Sequence, residues 1–114
     1  MKAWEIISAD GIDALALAER ETPVPRPGQV RVRMRASSIN YRDLATVLDP
    51  VSRNLPYPRI PNSDGAGDVT AIGEGVTRVR IGDRVASSFF QRWDSGAITP
   101  DGMASALGGA LDGV

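Results

Sequence analysis

Two short polar stretches hold the side chains of this sequence that are best suited to chemistry. One is Asn40-Tyr41-Arg42-Asp43, and the other is Asn62-Ser63-Asp64, which directly precedes Gly65-Ala66-Gly67. Their amide, phenol, guanidinium, hydroxyl and carboxylate groups can form hydrogen bonds, transfer a proton or stabilise an oxyanion. The chain has no histidine and no cysteine, so it offers no imidazole or thiolate metal ligand and no histidine-based triad.

The Gly65-Ala66-Gly67 run suggests a phosphate-binding loop, but its surroundings argue against one. A dinucleotide fingerprint needs a third glycine at position 70 and a following helix, whose N-terminus holds the pyrophosphate. Position 70 is a threonine, and an alternating, strand-like run follows it. We therefore expect the two glycines to let the backbone turn into the next strand or approach another element closely.

The composition excludes several broad classes of protein. A length of 114 residues suits one domain with a modest core, and a net charge of -1 does not favour nucleic acid or anionic membranes as partners. The N-terminal residues are too polar for a signal peptide, and no apolar run is long enough to span a membrane. We therefore expect a cytoplasmic protein.

Three strands are predicted in the first 38 residues, in the stretches "MKAWEII", "LALAERE" and "VRVRMRAS". The third is the clearest, because Val30, Val32 and Met34 alternate with arginines, which indicates one buried and one solvated face. The alternation explains the arginines as a solvated face rather than as a phosphate-binding stripe.

One helix is predicted after these strands. Asn40 is a suitable N-cap, and Asp43 falls at the position from which a carboxylate closes a capping box. Three apolar residues share one helical face: Leu44, Val47 and Leu48. Pro50 ends the helix, and residues 49–65 form a long irregular segment of the kind that often serves function.

The stretch from residue 67 to residue 86 predicts three strands separated by turns at Gly73-Glu74-Gly75 and Gly82-Asp83. The middle strand would carry Val76, Val79 and Ile81. Many short strands with glycine turns predict a mainly β fold, a partly closed β-barrel with one or two short helices.

The order of these pieces resembles the N-terminal, GroES-like catalytic domain of the medium-chain dehydrogenase/reductase superfamily. The resemblance covers residues 1–114 and is carried by "PRPGQVRVRMRASSINYRDL", "IPNSDGAGDVTAIGEGVTRVRIGDRV" and "GGALDG". It implies that the domain carries the substrate. In the family, a Rossmann domain follows and binds NAD or NADP, with the cofactor in the cleft between the domains.

The resemblance also implies that zinc is absent. Zinc-dependent members carry cysteine where this chain has Asn40, and Gly-His-Glu where it has Asn62-Ser63-Asp64; their proton-relay serine or threonine falls at Arg42. The chain is thus similar to the zinc-free branch of quinone oxidoreductases and enoyl reductases, and we expect no metal site.

Candidate cofactor-binding and catalytic residues follow from the same resemblance. Asn40 could hydrogen-bond the cofactor amide or ribose while also capping the helix. Tyr41 could lie near the cofactor phosphates, donate a proton or be a half-buried aromatic residue. Arg42 could stabilise an enolate oxygen, pair with a phosphate or pair with an aspartate. Asp43 lines the cofactor cleft and is expected to cap or orient rather than react.

The candidate substrate pocket contains Ser63, Asp64 and Phe89. Phe89 matches the family position that lines this pocket, and an apolar wall suits an apolar carbonyl or enone. Phe90 and Trp93 could belong to the core or to a lid. We expect Asn40, Arg42, Ser63 and Asp64 to converge where zinc lies in the zinc enzymes.

The function expected is hydride transfer between NAD or NADP and a small-molecule carbonyl, enone or quinone. A complete two-domain enzyme would need roughly 200 further residues, so we expect this chain to be part of a longer protein and inactive alone. The surface left uncovered would favour a homo-oligomer. The alternative is a stand-alone, non-catalytic binding or assembly module, as GroES itself shows for this fold.

Overall fold

The computed structural model describes all 114 residues, which form five strands, two α-helices and one 3-10 helix. The strands are β1 (Lys2–Ile6), β2 (Leu15–Glu19), β3 (Val30–Ser38), β4 (Asp64–Ile72) and β5 (Arg84–Ala86). The helices are α1 (Tyr41–Leu48) and α2 (Pro100–Met103), and the 3-10 helix is Gly11–Ala14. The mainly β class with short helices is therefore confirmed. Neither α-helix has the length and apolar character needed to cross a bilayer.

The strands form two antiparallel sheets that stay open, without a closed barrel. β1 pairs with β2, and β4 lies between β3 and β5. In the larger sheet, Val30 at the start of β3 lies opposite Ile72, and Ser38 at its end lies opposite Asp64. The first residue of β4 is therefore next to the junction between β3 and α1.

The glycine run lies within β4 rather than before it. A Cβ atom at Gly67 would lie 2.1 Å from the carbonyl oxygen of Arg33 on the neighbouring strand. The pairing of β3 with β4 shifts register twice, once close to this point, between Met34 and Ala36. Gly67 is thus needed for a close backbone approach at an irregular point of the sheet.

The small core lies between β1, the 3-10 helix and α1. It contains four buried apolar residues: Ile6, Ala14, Val47 and Leu55. The predicted helix is confirmed, but the predicted core face is one residue off, because Leu44 and Leu48 are exposed while Asp43 and Thr46 are buried. The buried face is therefore partly polar, and a hydrophobic periodicity cannot reveal it.

The predicted strand over Val76, Val79 and Ile81 is wrong. Residues 73–83 form turns instead, and Gly75 and Gly82 have positive φ angles of 78° and 96°. The Asp83 carboxylate accepts a hydrogen bond from the backbone N–H of Arg80 at 2.9 Å. This bond closes a local turn where the sequence predicts strand pairing. Two backbone bonds of Gly82 and Asp83 to Val69 hold the segment against β4.

The predicted buried face of β3 is only partly present. Val30 and Val32 are half-buried, whereas Met34 and Ala36 are exposed. The register shift that follows Met34 breaks the alternation of the pleat at this point. On the polar side, Arg35 pairs with Asp68 at 2.7 Å, as expected for a solvated face.

Candidate functional site

The junction between β3 and α1 meets the start of β4 and brings two candidate residues into contact. Asn40 has an extended backbone and precedes the first turn of α1. Its side-chain Nδ2 donates a hydrogen bond to Oδ2 of Asp64 at 2.7 Å. Asn40 and Asp64 are 24 residues apart in the chain, so this hydrogen bond joins the two polar stretches of the sequence directly.

Asp43 orders the same junction from inside the helix. Its carboxylate is 3% exposed and accepts the backbone N–H of Asn40 at 2.8 Å through Oδ2. The other oxygen, Oδ1, is buried without a hydrogen-bond partner and lies 3.7 Å from Nη1 of Arg42. This nitrogen is likewise buried and unpartnered, so the pair interacts through charge rather than a hydrogen bond.

Arg42 connects the polar residues to an aromatic wall. Its guanidinium lies 4.7 Å from the centroid of the Phe89 ring, which is cation–π geometry. Burial lowers the pKa of Arg42, and the negative charge of Asp43 opposes that change. Because arginine starts from so high a pKa, the side chain stays positively charged. We call Asn40, Arg42, Asp43 and Asp64 the polar cluster.

Ser63 is 3% exposed and lies beside the polar cluster in the chain. Its backbone is held by a hydrogen bond in which the Ser63 carbonyl accepts from the Ser87 hydroxyl at 3.2 Å. The same hydroxyl accepts the backbone N–H of Gly65 at 3.1 Å. Ser87 therefore holds the start of β4, a role that the sequence did not reveal because it depends on the pairing of β4 with β5.

Tyr41 differs from its neighbours because it is 85% exposed. It occupies the first position of α1, next to Asn40, and Ile39 on the other side is 82% exposed. The interpretation of Tyr41 as a half-buried aromatic residue is therefore wrong. Its ring and hydroxyl are accessible to a molecule that approaches the N-terminal end of α1.

Phe89 belongs to a cluster of three aromatic rings. It packs edge-on against Phe90, with the ring centroids 4.4 Å apart. Phe90 packs edge-on against Trp93, with the ring centroids 5.7 Å apart. A cavity of about 230 Å³ lies here and is lined by all three rings together with Ser88 and Asp94. The rings are half-buried or exposed, so they form the wall of a surface pocket rather than part of the core.

The carboxylates of the chain are dispersed. No group of three or more aspartate or glutamate side chains is close enough to hold a metal ion together. In the polar cluster, both aspartates accept hydrogen bonds from Asn40. Asp43 accepts from its backbone N–H, and Asp64 accepts from its side-chain amide. The arrangement is a hydrogen-bonded cluster with a cation at its edge.

Comparison with known proteins gives a consistent family. The family model of the alcohol dehydrogenase GroES-like domain matches residues 26–111. A zinc-type alcohol dehydrogenase-like protein of Schizosaccharomyces pombe is 40% identical over 104 residues, which cover 90% of this chain and 30% of that protein.

Solved structures agree with the family match. An NAD-dependent alcohol dehydrogenase superposes with a TM-score of 0.79 at 29% identity, over 99% of this chain and 35% of the other. A quinone oxidoreductase of Pseudomonas syringae superposes with a TM-score of 0.68 at 30% identity, over 78% of this chain and 27% of the other. The chain thus spans about a third or less of the length of these relatives.

Proposed function

The chain belongs to the alcohol dehydrogenase GroES-like domain family, and we propose that it is the substrate half of a zinc-independent, NAD- or NADP-dependent oxidoreductase. Its relatives are alcohol dehydrogenases and quinone oxidoreductases of the medium-chain dehydrogenase/reductase superfamily. The proposed substrate is a small carbonyl compound, enone or quinone, and the reaction is hydride transfer. Catalysis would also need a nucleotide-binding domain, so the 114 residues alone would be inactive.

The observation that carries this proposal is the contact between Arg42, a member of the polar cluster, and Phe89, which lines the aromatic cavity of about 230 Å³. Its guanidinium packs on the Phe89 ring, so a flat apolar substrate that contacts this ring would lie near a permanent cation. Addition of hydride to a carbonyl or enone carbon places negative charge on the oxygen. A guanidinium that is already fixed in place stabilises that charge without reorganisation.

Asn40, Tyr41 and Asp43 are proposed to hold the cofactor end of the site. The accessible Tyr41 phenol and the half-buried Asn40 amide suit a ligand that carries carboxamide and ribose hydroxyl groups. Asp43 would act by holding the Asn40 backbone through its 2.8 Å hydrogen bond. When bound, a nicotinamide cofactor supplies or accepts the hydride. Tyr41 is the proposed donor of the proton that completes reduction at oxygen.

Zinc independence is supported by the donor set at this place. The chain has no histidine or cysteine, and the Asn40 amide nitrogen is already bonded to Asp64. The Arg42 cation interacts electrostatically with both Asp43 and Asp64 and would repel a divalent ion placed between them. The structure therefore supports a cluster in which hydrogen bonds and a guanidinium replace the metal.

Ser63, Asp64 and Phe89 are proposed to form the substrate pocket. Phe89 supplies its apolar wall, and Asp64 fixes the Asn40 amide on the polar side. Ser63 would act chiefly through the backbone that Ser87 anchors. The pocket would thus orient a substrate between an aromatic surface and a fixed polar edge.

The decisive test is an assay of the protein in its full-length form. NADPH and NADH are each offered with quinones, enones and simple carbonyls, and bound metal is measured on the same sample. We expect turnover that chelators do not reduce. Stoichiometric zinc, with activity lost on chelation, would refute the zinc-free mechanism. The absence of turnover with every acceptor would favour the non-catalytic binding or assembly module.

A variant sharpens this assay. Arg42→Met removes the proposed oxyanion stabiliser, and kcat/KM should fall about a hundredfold, the usual effect of losing one such group. Arg33→Met is the matched control, because Arg33 is exposed on β3 and has no ion-pair partner. Equal activities of the two variants would contradict the role given to Arg42.

A further inference from the structure

A second cavity, of about 380 Å³, shares Arg42 with the polar cluster. Its walls come from α1, the loop at residues 53–56, the end of α2 and residues 106–110. Arg42 and Thr46 are one helical turn apart and both face it. The Thr46 hydroxyl already donates its hydrogen to the Arg42 carbonyl at 2.8 Å, so Arg42, Arg53 and the Asn54 amide remain as the side-chain donors of the lining.

The lining of this cavity is positively charged. It includes Arg42 and Arg53 and no acidic residue. One end of the Arg42 guanidinium, Nη1, lies on the side of Asp43. The other end, Nη2, lies beside Gly109, where a Cβ atom would come within 2.6 Å of it. Because Gly109 and Arg42 both line the cavity and Nη1 is buried, we take Nη2 as the nitrogen that would meet a ligand.

The charges of the two arginines are partly balanced by aspartates that do not line the cavity: Asp43 and Asp64 act on Arg42, and Asp49 interacts with Arg53. The Arg42 cation is partly balanced by the Asp43 carboxylate at 3.7 Å. Arg53 forms no close ion pair, but its positive charge contributes to the lowered pKa of Asp49, whose carboxylate accepts the backbone N–H of Ser52. Burial and, to a smaller extent, the charge of Arg53 lower the pKa of Arg42, so an anion between the guanidiniums would relieve repulsion.

The rest of the lining contains the polar Asn54 and several apolar residues. Leu55, Pro56, Met103 and Ala106 line the cavity opposite no further charge. Two guanidinium groups whose charges are already partly balanced by nearby aspartates match a monoanion better than a phosphate, which carries nearly two negative charges. The volume and the apolar residues of the lining suit a short hydrocarbon chain that carries a single carboxylate. A guanidinium group can bind a carboxylate through two parallel hydrogen bonds.

We propose that this cavity, which we call the arginine cavity, binds the carboxylate of a small organic acid. The substrate of the oxidoreductase would then be a carbonyl or unsaturated compound that also carries a carboxylate. The identification of the acid as substrate rests on the proposed function, whereas binding of the carboxylate does not. Arg53 and the Nη2 end of Arg42 would anchor the acid while the reacting group lies towards the polar cluster.

The test is a titration of the ¹⁵N-labelled 114-residue chain with butyrate, followed by NMR at the arginine side-chain and Gly109 signals. Butyramide is the neutral isostere, and inorganic phosphate and NADPH are the competing anions. Butyrate should give saturable shifts, with binding about tenfold tighter than butyramide, as expected for charge-assisted hydrogen bonds. Equal binding of butyrate and butyramide, or no saturable shift with butyrate, would overturn the proposal.

Two variants and a control locate the site. Arg53→Gln should weaken butyrate binding about tenfold, and Gly109→Ala should weaken it without any change of charge because the new methyl group displaces Nη2. Arg33→Gln should leave it unchanged. Equal effects of Arg53→Gln and Arg33→Gln would show non-specific charge attraction and overturn the site.

The remaining outcomes separate the two proposals. Saturable binding of phosphate or NADPH at these signals, without butyrate binding, would assign the cavity to a nucleotide phosphate and overturn the carboxylate. Butyrate binding together with a failure of the full-length protein to transfer hydride would refute the proposed function and leave the carboxylate site standing. Hydride transfer without butyrate binding would refute the site alone.

Discussion

Asp43→Asn is the substitution that most directly probes the organisation of the polar cluster. The side chains are nearly equal in size, so packing of the buried position changes little. The amide can still accept the Asn40 backbone N–H, but it loses the negative charge that faces Arg42. The variant therefore isolates the charge of Asp43 from its shape and from its capping geometry.

The size of the effect follows from the geometry. At 3.7 Å, the attraction between Asp43 and Arg42 is about 4 kcal/mol for an effective dielectric constant of about 20. The charge-assisted bond to Asn40 also becomes a neutral bond, which costs about 1 kcal/mol. Part of this loss is offset because a neutral amide is cheaper to bury than a carboxylate. We expect a net loss of about 2 to 3 kcal/mol in the free energy of unfolding.

Urea-induced unfolding at neutral pH measures this loss, since urea does not screen charge as guanidinium chloride does. Asp68→Asn is the matched control, because Asp68 pairs with the exposed Arg35 and should contribute less than about 1 kcal/mol. If the two variants lose the same stability, the charge of Asp43 does not hold the cluster together. A change in the slope of the unfolding free energy against urea concentration would instead show that the substitution alters the denatured or the native state.

Two further substitutions test local parts of the structure. Gly67→Ala should cost about 3 kcal/mol, because its Cβ would lie 2.1 Å from the Arg33 carbonyl oxygen; a loss below about 1 kcal/mol in urea unfolding would contradict this strand contact. Hydrogen bonding from the Ser52 side chain, then from its backbone, lowers the pKa of Asp49. The associated stability is present above the ordinary carboxyl pKa near 4 and is lost as pH falls through the lowered value. In Ser52→Ala, NMR titration should show the Asp49 pKa moving up towards its ordinary value, and an unchanged pKa would refute that cause.

Local sequence rules predicted the first half of the fold well. Strands β1, β2 and β3 coincide with the three stretches in which strands are predicted, and the start of α1 follows from Asn40 and Asp43. These features depend on residues close together in the chain, so propensity and capping are sufficient to reveal them.

The errors occur where long-range contacts override local pattern. The sequence predicts a strand over Val76, Val79 and Ile81, yet these residues lie in turns, and Gly82 and Asp83 bond to the Val69 backbone of β4 instead. For Gly65-Ala66-Gly67 the sequence leaves open a turn into a strand or a close approach to another element, and Gly67 within β4 makes the close approach, to the Arg33 backbone. In both segments a partner on another part of the chain decides the conformation.

The candidate site shows the same division in functional terms. Asn40 and Asp43 were identifiable together because a capping box is a local motif, whereas their link to Asp64 needs the β3–β4 register. That register places the last residue of β3 opposite the first residue of β4, so the sheet itself brings the two polar stretches together. A slip of one residue would turn the Asp64 side chain to the other face of the sheet and break its bond to Asn40. The irregular β3–β4 pairing, supported by Gly67, is therefore as necessary to the polar cluster as the side chains that form it.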